Sequence, residues 1–314
     1  MPNKKIIYVS GLVNFETILN VPFFPVPYFP IDYPFFGINS SISGNAYNTS
    51  KALTKLGDEV HLSTHLGDDL LGKIIVEEIK KNRININHVI YDLDATPNNI
   101  VLVDAYKNTE MHCDLKNAQD VETDFKKEKS IIKKSDLVVL SNTNFNRNII
   151  KEAKKLNKKI ATDVHIIGSI EDEFNVDFMK YSDILFLSSK GLKGYNYEDF
   201  LLSLYNKYHN EIIVLGEGRD GAMVLDSKKR EIYHIDAITL KDVTTTVGSR
   251  DALFSSFIHY YLKGWTPLNA LKLAEVFTSY KLGFNGASEG FLKSSEVRKY
   301  YNQANFAVYK LKKF

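Results

Sequence analysis

The sequence predicts an α/β protein with a mostly parallel central sheet and a small β lid, carried by one domain over residues 1–314. Three observations carry that expectation. Short β-branched runs alternate with amphipathic stretches, the rhythm of strands and helices over a parallel sheet. A chain of 314 residues at 44% hydrophobic content buries a full core and suits one large domain with a small appendage. Two segments, about 14–42 and 98–116, break the rhythm and are assigned to the lid.

The strand candidates are, in order, Ile6 to Val9, Val60 to Thr64, Leu137 to Leu140, Lys159 to Asp163, Ile184 to Leu187 and Ile212 to Leu215. Several end in Gly, Ser, Asn or Asp, and open α/β sheets bind ligands beyond the carboxyl ends of their strands. Within the first interruption, Asn20 to Gly37 is rich in Pro, Phe and Tyr; within the second, Ile100 to Val103 and Met111 to Cys113 read as a hairpin pair. Phe23, Phe24, Tyr28, Phe29, Tyr33, Phe35 and Phe36 are expected to pack this flap on the core. The sharper readings are a dimer face or an aromatic wall over a substrate. The basic tail Tyr309 to Phe314 reads as a solvated helix end.

Charge excludes some functions. Forty basic residues against 38 acidic ones nearly cancel, which leaves no field that would by itself hold nucleic acid or an anionic membrane. The single cysteine, Cys113, rules out an internal disulfide and a cysteine-based zinc cluster, and a reducing, cytoplasmic setting is expected. The start, Met1 to Lys5 followed by Ile6 to Val9, lacks the apolar core of a signal peptide. No window reaches the roughly 18 apolar residues of a membrane span, so neither export nor spanning is expected. His112, His165 and His259 have no metal-site spacing and read as surface or lid residues.

The most informative stretch is Asp242 to Phe257, DVTTTVGSRDALFSSF. A polar run leads through Gly248 and Ser249 to Asp251, after which Ala252, Leu253, Phe254, Phe257 and Ile258 supply a helical apolar face. Gly248, Ser249 and Arg250 then fall at a helix N-terminus, where free backbone N–H groups and the helix dipole attract an anion. A carboxylate beside such an anion site can take the proton of an alcohol attacking a phosphoryl group. The plainer reading of Asp251 is a first-turn helix cap.

This stretch resembles the DTxGAGDxF signature of ribokinase-type (PfkB) carbohydrate kinases, with Gly248, Asp251 and Ala252 in register. Ser43 to Gly57, SGNAYNTSKALTKLG, resembles the family's GGxxxN signature at Gly44 and Asn48. Gly11 to Glu16 stands where the family grips sugar hydroxyls, with Asn14 and Glu16 in those places. Gly67, Asp69 and Gly72 resemble a GxDxxG that looks like turn and helix-start structure. The resemblance spans roughly residues 5 to 300 and implies a ribokinase-like, Rossmann-type sandwich.

The resemblance further implies an ATP- and Mg²⁺-dependent kinase of a small sugar or polyol. Asp251 would be the general base, Gly248 to Asp251 the anion hole, Asn14, Glu16, Gly44 and Asn48 the substrate grip, and Gly216, Gly218 and Gly286 the nucleotide wall. A homodimer through the lid is a further implication. The departures are Arg250 where the family has Gly, and Ser188-Ser189-Lys190-Gly191-Leu192 where its metal-organising NxxE should stand. Asp163 is one candidate to hold the metal instead, although an ordinary strand-end role is the plainer one; Lys190 and Lys193 could supply charge but read as solvated. A nucleoside kinase and a catalytically silent sugar or nucleotide binder are the competing readings. No GxGxxG follows the first strand, which argues against an NAD-dependent enzyme.

Overall fold

A computed structural model describes residues 4–314; Met1 to Asn3, the first part of the N-terminal segment discussed above, lie outside the described residues. The chain runs β1 (Ile6–Ser10), β2 (Asn14–Asn20), β3 (Ile38–Ser43), α1 (Asn45–Leu56), β4 (Glu59–Gly67), α2 (Leu70–Lys81), β5 (Asn85–Leu93), β6 (Asn98–Val103) and β7 (Thr109–Asp114). It continues α3 (Phe125–Lys134), β8 (Leu137–Leu140), α4 (Arg147–Lys155), β9 (Ile160–Ile166), α5 (Val176–Tyr181), β10 (Ile184–Ser188), α6 (Tyr197–Tyr208) and β11 (Ile212–Gly216). The last part is β12 (Ala222–Asp226), β13 (Glu231–Ile235), α7 (Ser249–Leu262), α8 (Pro267–Lys281), α9 (Ser294–Tyr301) and β14 (Val308–Lys313).

All six strands expected from the β-branched runs are present, and all lie parallel in one ten-stranded sheet ordered β14-β13-β12-β11-β10-β9-β8-β1-β4-β5. Alternation decides which helices cover which face. Ile7, Val9, Val139, Phe186 and Val214 point to one core with α1, α7 and α8; Tyr8, Val138, Leu140, Leu185 and Leu215 point to a second core with α3, α4, α5 and α6. The sheet is therefore buried on both faces, which is why its strands read as unbroken apolar runs rather than alternating ones. The chain leaves β1 toward β4 on one side and reaches β8 on the other, so the strand order reverses at β1/β8, the place where open α/β sheets bind ligands.

A second, four-stranded sheet, β3-β2-β6-β7, contains the segments expected to form the lid. The β6–β7 hairpin pairs Ile100 with His112 and Val101 with Met111. The two outer pairs are antiparallel, and the central β2–β6 pair is parallel because β6 enters from the main sheet rather than from a turn. Ile18, Val101 and Val103 of this sheet pack on Val247 and Ala287, so the sheet rests on the loops that flank α7 and α8. The Gly67-Asp69-Gly72 run is helix-start structure: Asp69 caps α2, accepting from Gly72 N at 2.8 Å and from Thr96 N at 2.8 Å.

Three expectations are corrected. The tail is an edge strand, β14, paired antiparallel with β13 across a register shift; Leu311 and Phe314 pack on the second core, which a short basic run conceals. His259 is a buried residue whose Nδ1 meets Asp58 Oδ2 at 2.5 Å, tying α7 to the end of α1. The flap aromatics do not pack on the core: Tyr28 and Phe35 are each 87% exposed, and Phe29, Tyr33 and Phe36 are exposed too. The Pro-rich connection from β2 to β3 holds them out from the sheet edge.

Glu275 lies inside α8 with no partner for its carboxyl among the described residues, and burial raises its pKa to about 8. The folded protein keeps this proton up to about 8, whereas an unfolded chain releases it near 4.5, so stability falls as pH rises through that interval. Glu275→Gln is expected to stabilise by about 2 kcal/mol at pH 8 and little at pH 5, read from urea unfolding midpoints.

Candidate active site

The residues singled out around α1, α7 and β2 converge at the carboxyl edge of the sheet. Two helices begin there through glycines in conformations closed to other residues. Gly248 caps α7 at φ 74°, and a Cβ on it would lie 2.1 Å from Ala287 O; Gly44 caps α1 at φ 99°, with Leu12 O 2.4 Å from where a Cβ would be. Arg250 carries no such strain, since it already stands in the first turn of α7 with helical backbone.

Asp251 and Asn48 meet across the two helices: Asn48 Nδ2 donates to Asp251 Oδ2 at 2.7 Å. Removal from water raises the Asp251 pKa, opposed by the Asn48 bond and by the Arg250 charge. From the lid, alternation along β2 turns Asn14, Glu16 and Ile18 to the same face, and Ile18 packs on Val247. Asn14 and Glu16 are 1% and 2% exposed. Burial lifts the Glu16 pKa to about 7, opposed by the Ser43 hydroxyl and the Lys281 charge, with the Asp251 charge adding to it. Both amide atoms of Asn14, Oε1 of Glu16 and Oδ1 of Asn48 are buried without a hydrogen-bond partner among the described residues. An unmet buried polar atom costs about 1–3 kcal/mol, so four together mark a surface shaped for a polar ligand.

Sequence reasoning missed His165. Its backbone is left-handed at φ 62°, and its ring stands beside α7 rather than on an outer surface. Arg250 Nη1 lies 2.9 Å from His165 Nδ1. A guanidinium only donates, so Nδ1 must accept, the ring proton is assigned to Nε2, and His165 is neutral; burial lowers its pKa accordingly. Nε2 is 3.3 Å from the Asn45 amide nitrogen, and its proton is met when the amide turns so that its oxygen takes that place and its nitrogen donates to the Ser141 hydroxyl. Arg250 is thereby held at the mouth of the site, with Nε 3.8 Å from Asp163 Oδ2.

Asp163 Oδ1 accepts from His165 N at 2.8 Å, and Oδ2 is buried without a hydrogen bond. It is a lone carboxylate facing two basic groups, Arg250 and His165. No group of three or more acidic, His or Cys side chains suited to a metal occurs among the described residues. A single carboxylate suits a Mg²⁺ that arrives with nucleotide phosphates and keeps most of its waters, rather than one caged by protein oxygens alone. Lys190 and Lys193 are exposed.

Gly216 ends β11 and Gly218 opens the turn after it; a Cβ on either would meet nothing closer than 3.9 Å, leaving an open ledge. Gly286 follows α8 and faces Ser41 of β3, nearer the lid than that ledge. A cavity of about 680 Å³ opens on the Phe15 side of β2, lined by Phe15, Tyr47, Lys51 and Ile74 and, next to Gly286, by Ser41 and Glu289. Phe15 points away from the Asn14 and Glu16 face of β2, and none of the four unmet polar atoms belongs to a lining residue.

Fold and site together define a ribokinase-like α/β kinase architecture. The structure is similar to a microbiome-derived acarbose kinase, with a TM-score of 0.85 at 19% identity over 96% of this chain and 99% of that one. It is also similar to Arabidopsis thaliana ribokinase complexed with ribose and ATP, with a TM-score of 0.77 at 16% identity over 95% and 99%. In sequence it is 25% identical to a ribokinase of Dictyostelium discoideum over 93% of this chain and 98% of the relative. It is 23% identical to a 5-dehydro-2-deoxygluconokinase of Clostridium perfringens over 80% and 81%. The model of the pfkB family carbohydrate kinases matches residues 7–292, and the chain belongs to that family. No helix among the described residues is long and apolar enough to cross a membrane.

Proposed function

We propose that this chain transfers the terminal phosphoryl group of ATP to a hydroxyl of a small sugar or related polyol, with Asp251 as general base. The observation that supports it most is the company of Asp251. Its carboxylate stands in the first turn of α7, held by Asn48, while Asn14, Glu16 and Asn48 present buried donors and acceptors that no protein group meets. Vicinal hydroxyls, each both donor and acceptor, satisfy that set. Gly44 brings the α1 backbone up to the same ligand.

In the step itself, the acceptor hydroxyl gives its proton to Asp251 as its oxygen bonds the γ-phosphorus. The bond from that phosphorus to the β,γ-bridging oxygen breaks, and ADP leaves with the electron pair. The N–H groups of Gly248, Arg250 and Asp251, with that of Ser249 already given to Thr246 O, receive the charge that spreads over the phosphoryl oxygens. Arg250, half-exposed at the helix start, adds a cation there. The nucleotide lies along Gly216 and Gly218 toward Gly286, and the small sheet acts as a lid that keeps water from taking the phosphoryl group. Cytoplasm is the setting we assign, consistent with the one exposed thiol, Cys113.

The first experiment incubates the protein with ATP, Mg²⁺ and a panel of sugars and nucleosides and follows ADP release. Sugar-dependent release that falls at least about a thousandfold in Asp251→Asn, with sugar binding preserved, is expected. Because the active form of Asp251 is the carboxylate and its pKa is raised, kcat is expected to fall on the acid side at a higher pH than an ordinary carboxylate would give. Release stimulated only by nucleosides would assign the nucleoside kinase reading. Ligand-dependent melting shifts with no release would assign the silent binder. An Asp251→Asn enzyme with normal turnover would overturn the base.

Arg250→Gly is expected to raise KM for ATP about tenfold and slow turnover, since it removes a cation from the phosphate site. Faster turnover would mean that Arg250 obstructs. A lid-mediated homodimer is supported by the exposed aromatics between β2 and β3. Sedimentation is expected to show a dimer that Phe29→Asp with Phe35→Asp converts to monomer; a monomeric wild type would sink this part.

A further inference from the structure

Lys281, the last residue of α8, is fully buried, and its ammonium donates to the carbonyl of Val247 immediately before the α7 N-terminus. A lysine is an expensive way to satisfy one carbonyl, because its other two N–H groups meet no protein acceptor among the described residues. The surroundings show why a charge is kept there. Glu16 from β2, Asp251 from α7 and Glu289 from the loop after α8 all act on it, drawing its pKa up while burial lowers it to about 8. The loop before α7 is otherwise tied down: the N–H groups of Thr244 and Thr245 go to Leu282 O, that of Val247 to Thr245 Oγ1, and that of Ser249 to Thr246 O. Only the Thr246 and Gly248 N–H groups in this stretch have no acceptor among the described residues, and of the two Gly248 is the one that caps α7.

The peptide between Val247 and Gly248 is trans, so its N–H points opposite to its carbonyl. With the carbonyl directed at Lys281, the Gly248 N–H is directed away from it, toward the mouth of α7. We propose that Lys281 is the positioning residue of the anion hole, an internal cation that fixes and polarises the Val247–Gly248 peptide so that Gly248 N–H receives the terminal phosphate of the nucleotide. A cation on a peptide oxygen makes the N–H of the same peptide a stronger donor. The same charge offsets Glu16 and Asp251, whose carboxylates would otherwise repel that phosphate.

The inference rests on the kinase reading for its place in the reaction, but its test does not need turnover. Calorimetry on the intact chain compares ATP with ADP, each with Mg²⁺, at pH 7.5 and 9; the preference for ATP reports the hold on the terminal phosphate. Wild type is expected to prefer ATP about tenfold at pH 7.5 and to lose most of that preference at pH 9, where Lys281 is neutral. Lys281→Met is expected to show little preference at either pH, with ADP affinity within about twofold of wild type. A variant that keeps the wild-type preference overturns the proposal. So does a wild type whose preference is absent or unchanged between the two pH values, a result that stands even if Lys281→Met fails to fold. A wild type with the pH-dependent preference that phosphorylates no sugar upholds the role of Lys281 and overturns the sugar kinase reading alone.

Discussion

The hydrogen bond from Asn48 to Asp251 depends on two helices starting side by side at the carboxyl edge of the sheet, and most of the molecule serves that arrangement. α1 and α7 pack on the same face of the sheet, and at their far ends His259 binds Asp58. A contact at each end leaves little freedom to slide. Gly44 and Gly248 allow both helices to begin where backbone from other segments crowds them, so the starts are fixed by sterics as well as by packing.

Around that pair the protein concentrates charge it does not neutralise locally. Glu16 and Asp251 hold pKa values raised by burial, Lys281 holds one lowered by it, and Arg250 leans on a neutral His165. Such groups destabilise a fold when left alone and are retained where a ligand completes them. Glu275 has no equivalent company, and nothing in the structure explains it.

The four-stranded sheet meets this centre through a small apolar contact rather than through charge. Ile18, Val101 and Val103 touch Val247 and Ala287, next to the peptide whose carbonyl Lys281 holds. The strand that carries Asn14 and Glu16 is thus braced against the loop that carries Gly248.

Local pattern was enough for the six parallel strands, the β6–β7 hairpin and the starts of α1 and α7, because β-branched runs and glycine-led helix starts are written in neighbouring residues. Asp251, Asn48, Asn14 and Glu16 are singled out by a family resemblance in short stretches, and it is the fold that brings them together. β14 escaped because an edge strand needs only alternate apolar residues, and Leu311 among lysines looks like a solvated tail. His165 and Lys281 escaped for a different reason. Each is far in sequence from the group it serves, His165 from Arg250 and Lys281 from Val247, and burial of a polar side chain depends on what folds over it. Whether Arg250 strains the helix start, where the flap aromatics point and which peptide faces a buried ammonium are set by packing between distant segments, and only the tertiary structure decided them.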